Sequence, residues 1–194
     1  MENPYAVEAR PDTGLHNAKL GVWLFIASEV MLFAGLFSAY VLIRTGSSGW
    51  PQHDRPVVLG AINTAILIAS SMTMVLAWAA LKTRDWAAHR RHLALTILLG
   101  TVFLAVKSFE YVSHIRAGEG PSTDIYLGLY FTLTGLHALH LVGGLIVLAY
   151  FFGPGARLWQ RNPDQFANRI EATGLYWHFV DMLWMFLFPL LYLL

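Results

Sequence analysis

Seven ionisable side chains stand inside long apolar runs of this 194-residue sequence: Glu29, Lys107, Glu110, His137, His140, His178 and Asp181. Carboxylates and imidazoles are the groups that relay protons and hold iron, zinc or manganese. In hydrocarbon each is costly, so each needs a partner or a task. "HFVD" sets His178 and Asp181 three residues apart, "HALH" does the same for His137 and His140, and "KSFE" for Lys107 and Glu110. On a helix each of these pairs shares a face. Three roles are open to such groups: hydrogen-bonded pairs that lock helices together, a proton relay or lipid contact, and a metal or haem site. A haem clamped between His140 and His178 fits the residue types. The Glu-x-x-His pairs of carboxylate-bridged di-iron bundles are absent. There is no cysteine, which excludes disulfides, thiolate zinc sites, iron–sulfur clusters and thioether-attached haem.

The elements that carry these residues read as membrane helices. The chain is 56% hydrophobic and 13% charged, against roughly 25% charged in soluble domains. Five segments have the roughly 20 apolar residues that a bilayer crossing needs. They are predicted at about 20–43, 57–81, 93–115, 125–152 and 172–194. Residues 1–19 are polar, lack the apolar core of a signal peptide, and are predicted to remain as a tail. Turn-forming stretches separate the segments: "TGSSGWP", "AGEGPS" and "GPGARLWQRNPD". A membrane barrel would instead show alternating segments of about ten residues. The predicted class is an all-α, polytopic bundle of five transmembrane helices. Small residues in "FAGLFSAY", "GAINTA", "ASSMT" and at Gly143–Gly144 mark places for close helix contact.

Basic residues set the orientation. One side carries Arg10, Lys19, Lys82, Arg84, Arg90, Arg91, Arg157, Arg161 and Arg169; the other carries Arg44, Arg55 and Arg116. Nine against three predicts a cytoplasmic N-terminus and a periplasmic C-terminus. Trp50, Trp86 and Trp159 fall near predicted membrane edges, where indoles are favoured. Depth then follows from a rise of about 1.5 Å per residue. It puts Glu29, Asp181, His178 and His140 in one inner-to-middle layer, with Lys107, His137 and Glu110 above. Glu29 is expected to meet a histidine on helix four or five, and Lys107 to pair with Glu110. The net charge of +1 points away from nucleic acid.

Four stretches resemble the cytochrome c oxidase subunit III family. "GVWLFIASEVMLFAGLFSAYVL" is similar to its Glu-bearing helix. "VKSFEYVSHI" is similar to its Phe-Glu-Tyr helix, "GLHALHLVGGL" to its Gly-x-His-x-x-His segment, and "IEATGLYWHFVDMLWMFLFPLLY" to its Tyr-Trp-His-Phe-Val-Asp signature. They occur in family order over nearly the whole chain, and the short five-helix bacterial form is the nearest match.

The resemblance implies an accessory, non-redox subunit of a haem–copper terminal oxidase in the bacterial plasma membrane. In such a complex electrons pass from cytochrome c to oxygen, coupled to proton pumping. The haems and copper would lie in subunits I and II. Subunit I would be the main contact, through the early helices, and a respiratory supercomplex could include the whole. This chain would hold no catalytic, cofactor or metal site of its own. It would stabilise the core against turnover-linked inactivation, support proton uptake and bind phospholipid. Subunit III of a quinol oxidase, and the accessory protein of nitric oxide reductase, are alternatives in the same superfamily; they often carry Asp where this chain has Glu29. Readings of another class are a stand-alone membrane haem or metal protein, and a small transporter or channel. The charge-free fourth segment offers little to line an aqueous path.

Overall fold

The computed structural model describes residues 8–51 and 57–193. Arg55 from the basic-residue count, residues 1–7 of the tail and Leu194 lie outside the described residues. All the regular elements of the described chain are helices, and no strand occurs among the described residues. The long helices are α1 (Asn17–Gly46), α2 (Val57–Lys82), α3 (Trp86–Arg116), α4 (Ile125–Phe152) and α6 (Pro163–Phe188). A 3-10 turn (Pro154–Ala156) and the short α5 (Arg157–Arg161) link α4 to α6, and a wider π-type coil (Pro189–Leu193) ends the chain. Five of these helices are long and apolar enough to cross a membrane.

Two helices begin earlier than hydropathy predicts, because a helix does not stop where it leaves hydrocarbon. α3 starts at Trp86 rather than 93. The Asp85 carboxylate caps it by accepting the Ala88 backbone N–H at 2.9 Å, and "HRRH" runs through the first turns at the interface. α6 starts at Pro163 rather than 172. Asn162 accepts the Gln165 N–H at 3.1 Å, and a proline in first position gives up a hydrogen bond the helix does not need there. Asp124 caps α4 in the same way, at 2.9 Å from the Leu127 nitrogen. The α2–α3 turn is so tight that Arg84 takes a φ of +60°, which side chains rarely adopt.

α6 is the central element. It packs against α1, α2 and α4, while α3 closes the bundle between α2 and α4. Half of its most apolar stretch is buried inside the protein, against 11% for α1. Trp177 and Trp184 on α6 are fully enclosed. Gly100 of α3 and Gly144 of α4 give Trp177 its space: a Cβ on either would come within 2.8 or 2.9 Å of the indole. The small residues of "FAGLFSAY" play no such part within this chain. Nothing lies within 4 Å of a Cβ placed on Gly35, and Ala34 and Ser38 are exposed.

Both edges of the bundle carry the predicted indoles. On the face shared by the N-terminus and the α4–α6 connection, Trp86 and Trp159 stack at 5.3 Å. On that face Lys19 pairs with Glu171 at 2.7 Å and Arg84 with Asp164 at 2.8 Å. In the polar lead-in, the Arg10 guanidinium beside Asp12 holds that carboxyl below its ordinary range. On the opposite face Trp50 meets Tyr40 and Tyr126 edge-on at 5.6 and 6.0 Å.

Candidate functional site

The seven ionisable residues fall into three groups, distinguished by which way each helix turns them. The first joins α1 to α4. His140 donates Nδ1–H to the Leu136 carbonyl at 2.8 Å, because a carbonyl can only accept. Its Nε2 lies 3.0 Å from Glu29 Oε2. With Nδ1 committed to the carbonyl, Nε2 is the nitrogen that meets Glu29. The Tyr176 hydroxyl of α6 donates to the His140 carbonyl at 2.8 Å, and Phe33 packs its edge against the imidazole at 5.5 Å. The pair is not sealed: the side chains are 12% and 15% exposed. Next to it runs an apolar groove of about 490 Å³ between α1, α4 and α6, which includes Val22, Phe25, Gly143, Tyr176 and, toward the N-terminal face, Arg169.

The second group is closed. Lys107 donates to Glu110 Oε2 at 3.0 Å, to the Tyr130 hydroxyl at 3.0 Å and to the Tyr192 hydroxyl at 2.7 Å. An ammonium has three donors, and all three are used. Glu110 Oε1 accepts both phenols, each at 2.6 Å. The Trp184 ring lies 5.1 Å from the Lys107 nitrogen, a favourable cation–π approach. Lys107 and Glu110 are 5% and 3% exposed. A cage in which the ammonium and both phenols have all their donors engaged joins α3, α4 and the C-terminal coil. His137 sits beside it, between Phe103 at 5.7 Å and Trp184 at 5.3 Å, with both ring nitrogens enclosed and without a hydrogen-bond partner.

The third group faces α2. His178 Nδ1 lies 2.6 Å from the Ser71 hydroxyl. Asp181 is buried, and neither carboxylate oxygen has a hydrogen-bond partner. Depth arithmetic set His178 and Asp181 level with Glu29 and close to His140, but α6 separates them. Tyr176 points to α4, whereas His178, two residues and about 200° further round, points to α2. The His140–His178 haem clamp therefore has its two imidazoles turned to different helices, His140 toward Glu29 of α1 and His178 toward Ser71 of α2. Among the described residues no three His, Asp or Glu side chains are close enough to share a metal ion.

Sequence reasoning missed Tyr130, Tyr192, Tyr176 and Ser71, all of which complete these groups. A signal exists for Tyr130. Residues 130, 134, 137, 141 and 144 of α4 are all buried, at helical spacing, so Tyr130 shares a seam with His137.

A family model described as cytochrome c oxidase subunit III matches residues 11–194. Cytochrome c oxidase subunit 3 of Synechocystis is 36% identical over 182 residues, covering 90% of this chain and 74% of the relative. A heme-copper oxidase subunit I+III of Aeropyrum pernix is 35% identical over 89% of this chain and 22% of that longer protein. The cytochrome bo(3) ubiquinol oxidase subunit 3 of Pseudomonas aeruginosa is 32% identical over 92% of this chain and 85% of its own length.

Proposed function

The chain belongs to the cytochrome c oxidase subunit III family, and from that premise we propose that it is the accessory subunit of a haem–copper oxidase in a bacterial plasma membrane. Haems and copper belong to its partners, subunits I and II. Its own part is to brace the core, hold phospholipid and support proton uptake. The excess of basic residues around the N-terminus, the α2–α3 turn and the α4–α6 connection favours a cytoplasmic N-terminus.

The observation that carries this reading is the slightly exposed Glu29–His140 pair beside the apolar groove. An acyl chain fits that groove, and Arg169 offers a charge-assisted hydrogen bond to a phosphate. Glu29→Ala is expected to leave the initial rate of oxygen reduction intact. It should shorten the life of the enzyme under turnover and lower the phospholipid that stays with the purified complex. Loss of the initial rate in a fully assembled complex would instead make Glu29 a direct proton carrier.

Contact with subunit I is supported by the Aeropyrum protein, whose name joins I and III in one chain. α1 offers the surface. Gly21, Ala27, Ser28, Ala34, Gly35 and Ser38 are exposed along it, and small residues let helices approach closely in lipid. The test is affinity purification of the tagged chain from its native membrane. A haem-containing subunit I is expected to come with the wild type and to be largely lost with Gly35→Leu, which fills the open face. A copper-binding cysteine pair in the accompanying subunit II would mark cytochrome c as donor. A chain that purifies alone, with its own haem or metal, overturns the proposal.

A further inference from the structure

A second groove runs along the other side of α6, against α2. Its upper part encloses about 420 Å³ and includes Ser71, Met72, His178, Asp181, Met182 and Met185. Its lower part, about 220 Å³, continues past His178 to Met74 and Trp78. Nothing in the assembly role described above uses it.

Three features say what would fit. The first is depth. Ser71 stands near the middle of α2 (Val57–Lys82), about 16 Å from its nearer end at about 1.5 Å per residue, and His178 Nδ1 lies 2.6 Å from its hydroxyl, at the same height. A phospholipid headgroup stays at the interface, so polar atoms at this depth call for a molecule lying wholly in the hydrocarbon. The second is unmet hydrogen bonding. His178 Nδ1 is taken by Ser71, which leaves Nε2 without a protein partner among the described residues. Asp181 is 5% exposed, and its two oxygens accept no hydrogen bond. The third is the lining. Of six methionines in the sequence, four (Met72, Met74, Met182 and Met185) line this groove, together with the Trp78 and Trp184 indoles. Thioethers adapt to flat rings and contact them favourably.

We propose that the α2–α6 groove binds the ring of a lipid-soluble quinol or quinone, with His178 and Asp181 facing the ring oxygens. The imidazole donates to a ring carbonyl or accepts from a ring hydroxyl. A hydroxyl reaching the floor gives Asp181 the donor that the protein withholds. The methionines sandwich the ring, and an isoprenoid tail continues along the lower part toward Trp78. This is a binding site; no electron transfer within the chain is implied.

The test uses the intact oxidase complex in nanodiscs of its native lipids, with an azido-ring analogue of decylubiquinone as photoprobe and peptide mapping as readout. Adducts are expected on the segments around residues 71–74 and 178–185, and excess decylubiquinone should suppress them. His178→Phe should cut the labelling about tenfold, the loss expected for one hydrogen bond left unmade in a dry site. Met182 is 56% exposed, so Met182→Trp obstructs the groove without disturbing the core and should lower labelling as well. If His178→Phe fails to assemble, Met182→Trp and the wild-type competition still decide. Labelling that is equally strong at other lipid-facing positions such as Phe109, or that phospholipid displaces as well as decylubiquinone does, overturns the proposal. So does complete protection of the groove by a helix of a neighbouring subunit. A chain that co-purifies with the oxidase yet fails here loses this site alone and keeps its assembly role.

Discussion

Glu110→Ala is expected to destabilise the protein by about 3–5 kcal/mol, the cost typical of breaking a buried ion pair from one side. The reason lies in what it strands. Lys107 would remain buried with two phenols and no counter-charge, and Tyr130 and Tyr192 would each lose a carboxylate acceptor at 2.6 Å. The C-terminal coil, held through Tyr192, should loosen. Removing both charges with Lys107→Met and Glu110→Leu is expected to be far milder, because well-packed apolar residues often replace a buried pair at little cost. The two phenols already lie 3.3 Å apart and can then bond each other. Thermal unfolding of the complex in detergent, and the amount of subunit retained on it, measure both variants. If the double variant is as damaging as Glu110→Ala, the cage does more than neutralise its own charges.

That cage also marks how far a sequence can be read in a membrane. Lys107 and Glu110 are legible as a pair, since three residues on a helix fix both height and direction. The Glu29–His140 contact is legible as a meeting of heights, because rise per residue is nearly constant. Direction is harder. A soluble helix shows which way it faces through a polar stripe, but here both the lipid face and the core face are apolar. Exposed Met31, Val58, Leu139 and Met182 look in sequence like buried Leu67, Leu141 and Leu187. Nothing therefore indicated that His178 turns to Ser71 rather than to Glu29. Tyr192 was invisible for a different reason: it stands in the wider coil after Pro189, where α-helical spacing no longer sets its direction. The early starts of α3 and α6 were missed because hydropathy measures where lipid ends, whereas Asp85 and Asn162 determine where the helices begin.

A close contact among three helices leads to the second large effect. Trp177 is wholly buried, and its indole N–H donates to the Ser70 hydroxyl at 2.8 Å, which holds the ring in place between α2, α3 and α4. On one side is Gly100, on the other Gly144. Trp177→Ala is expected to cost about 3–5 kcal/mol, as for other large aromatic side chains removed from a core, and to release the subunit from its complex. Gly144→Ala tests the same contact by filling rather than emptying it. Its methyl would come within 2.9 Å of a ring that cannot swing away, and overpacking of this kind costs about 1–3 kcal/mol. Gly100→Ala should cost a similar amount. The two together should not add, since both act on one indole. Gly135→Ala of α4 is the control: its methyl would meet only the Tyr111 hydroxyl at 3.8 Å, an ordinary contact, and alanine is the better helix former, so unfolding temperature should hold or rise. Equal tolerance of alanine at Gly135 and Gly144 would mean that the indole does not set the spacing of α3, α4 and α6. A clear difference would identify Trp177 as the spacer around which α6 and its two polar faces, one toward Glu29 and the other toward Ser71, are oriented.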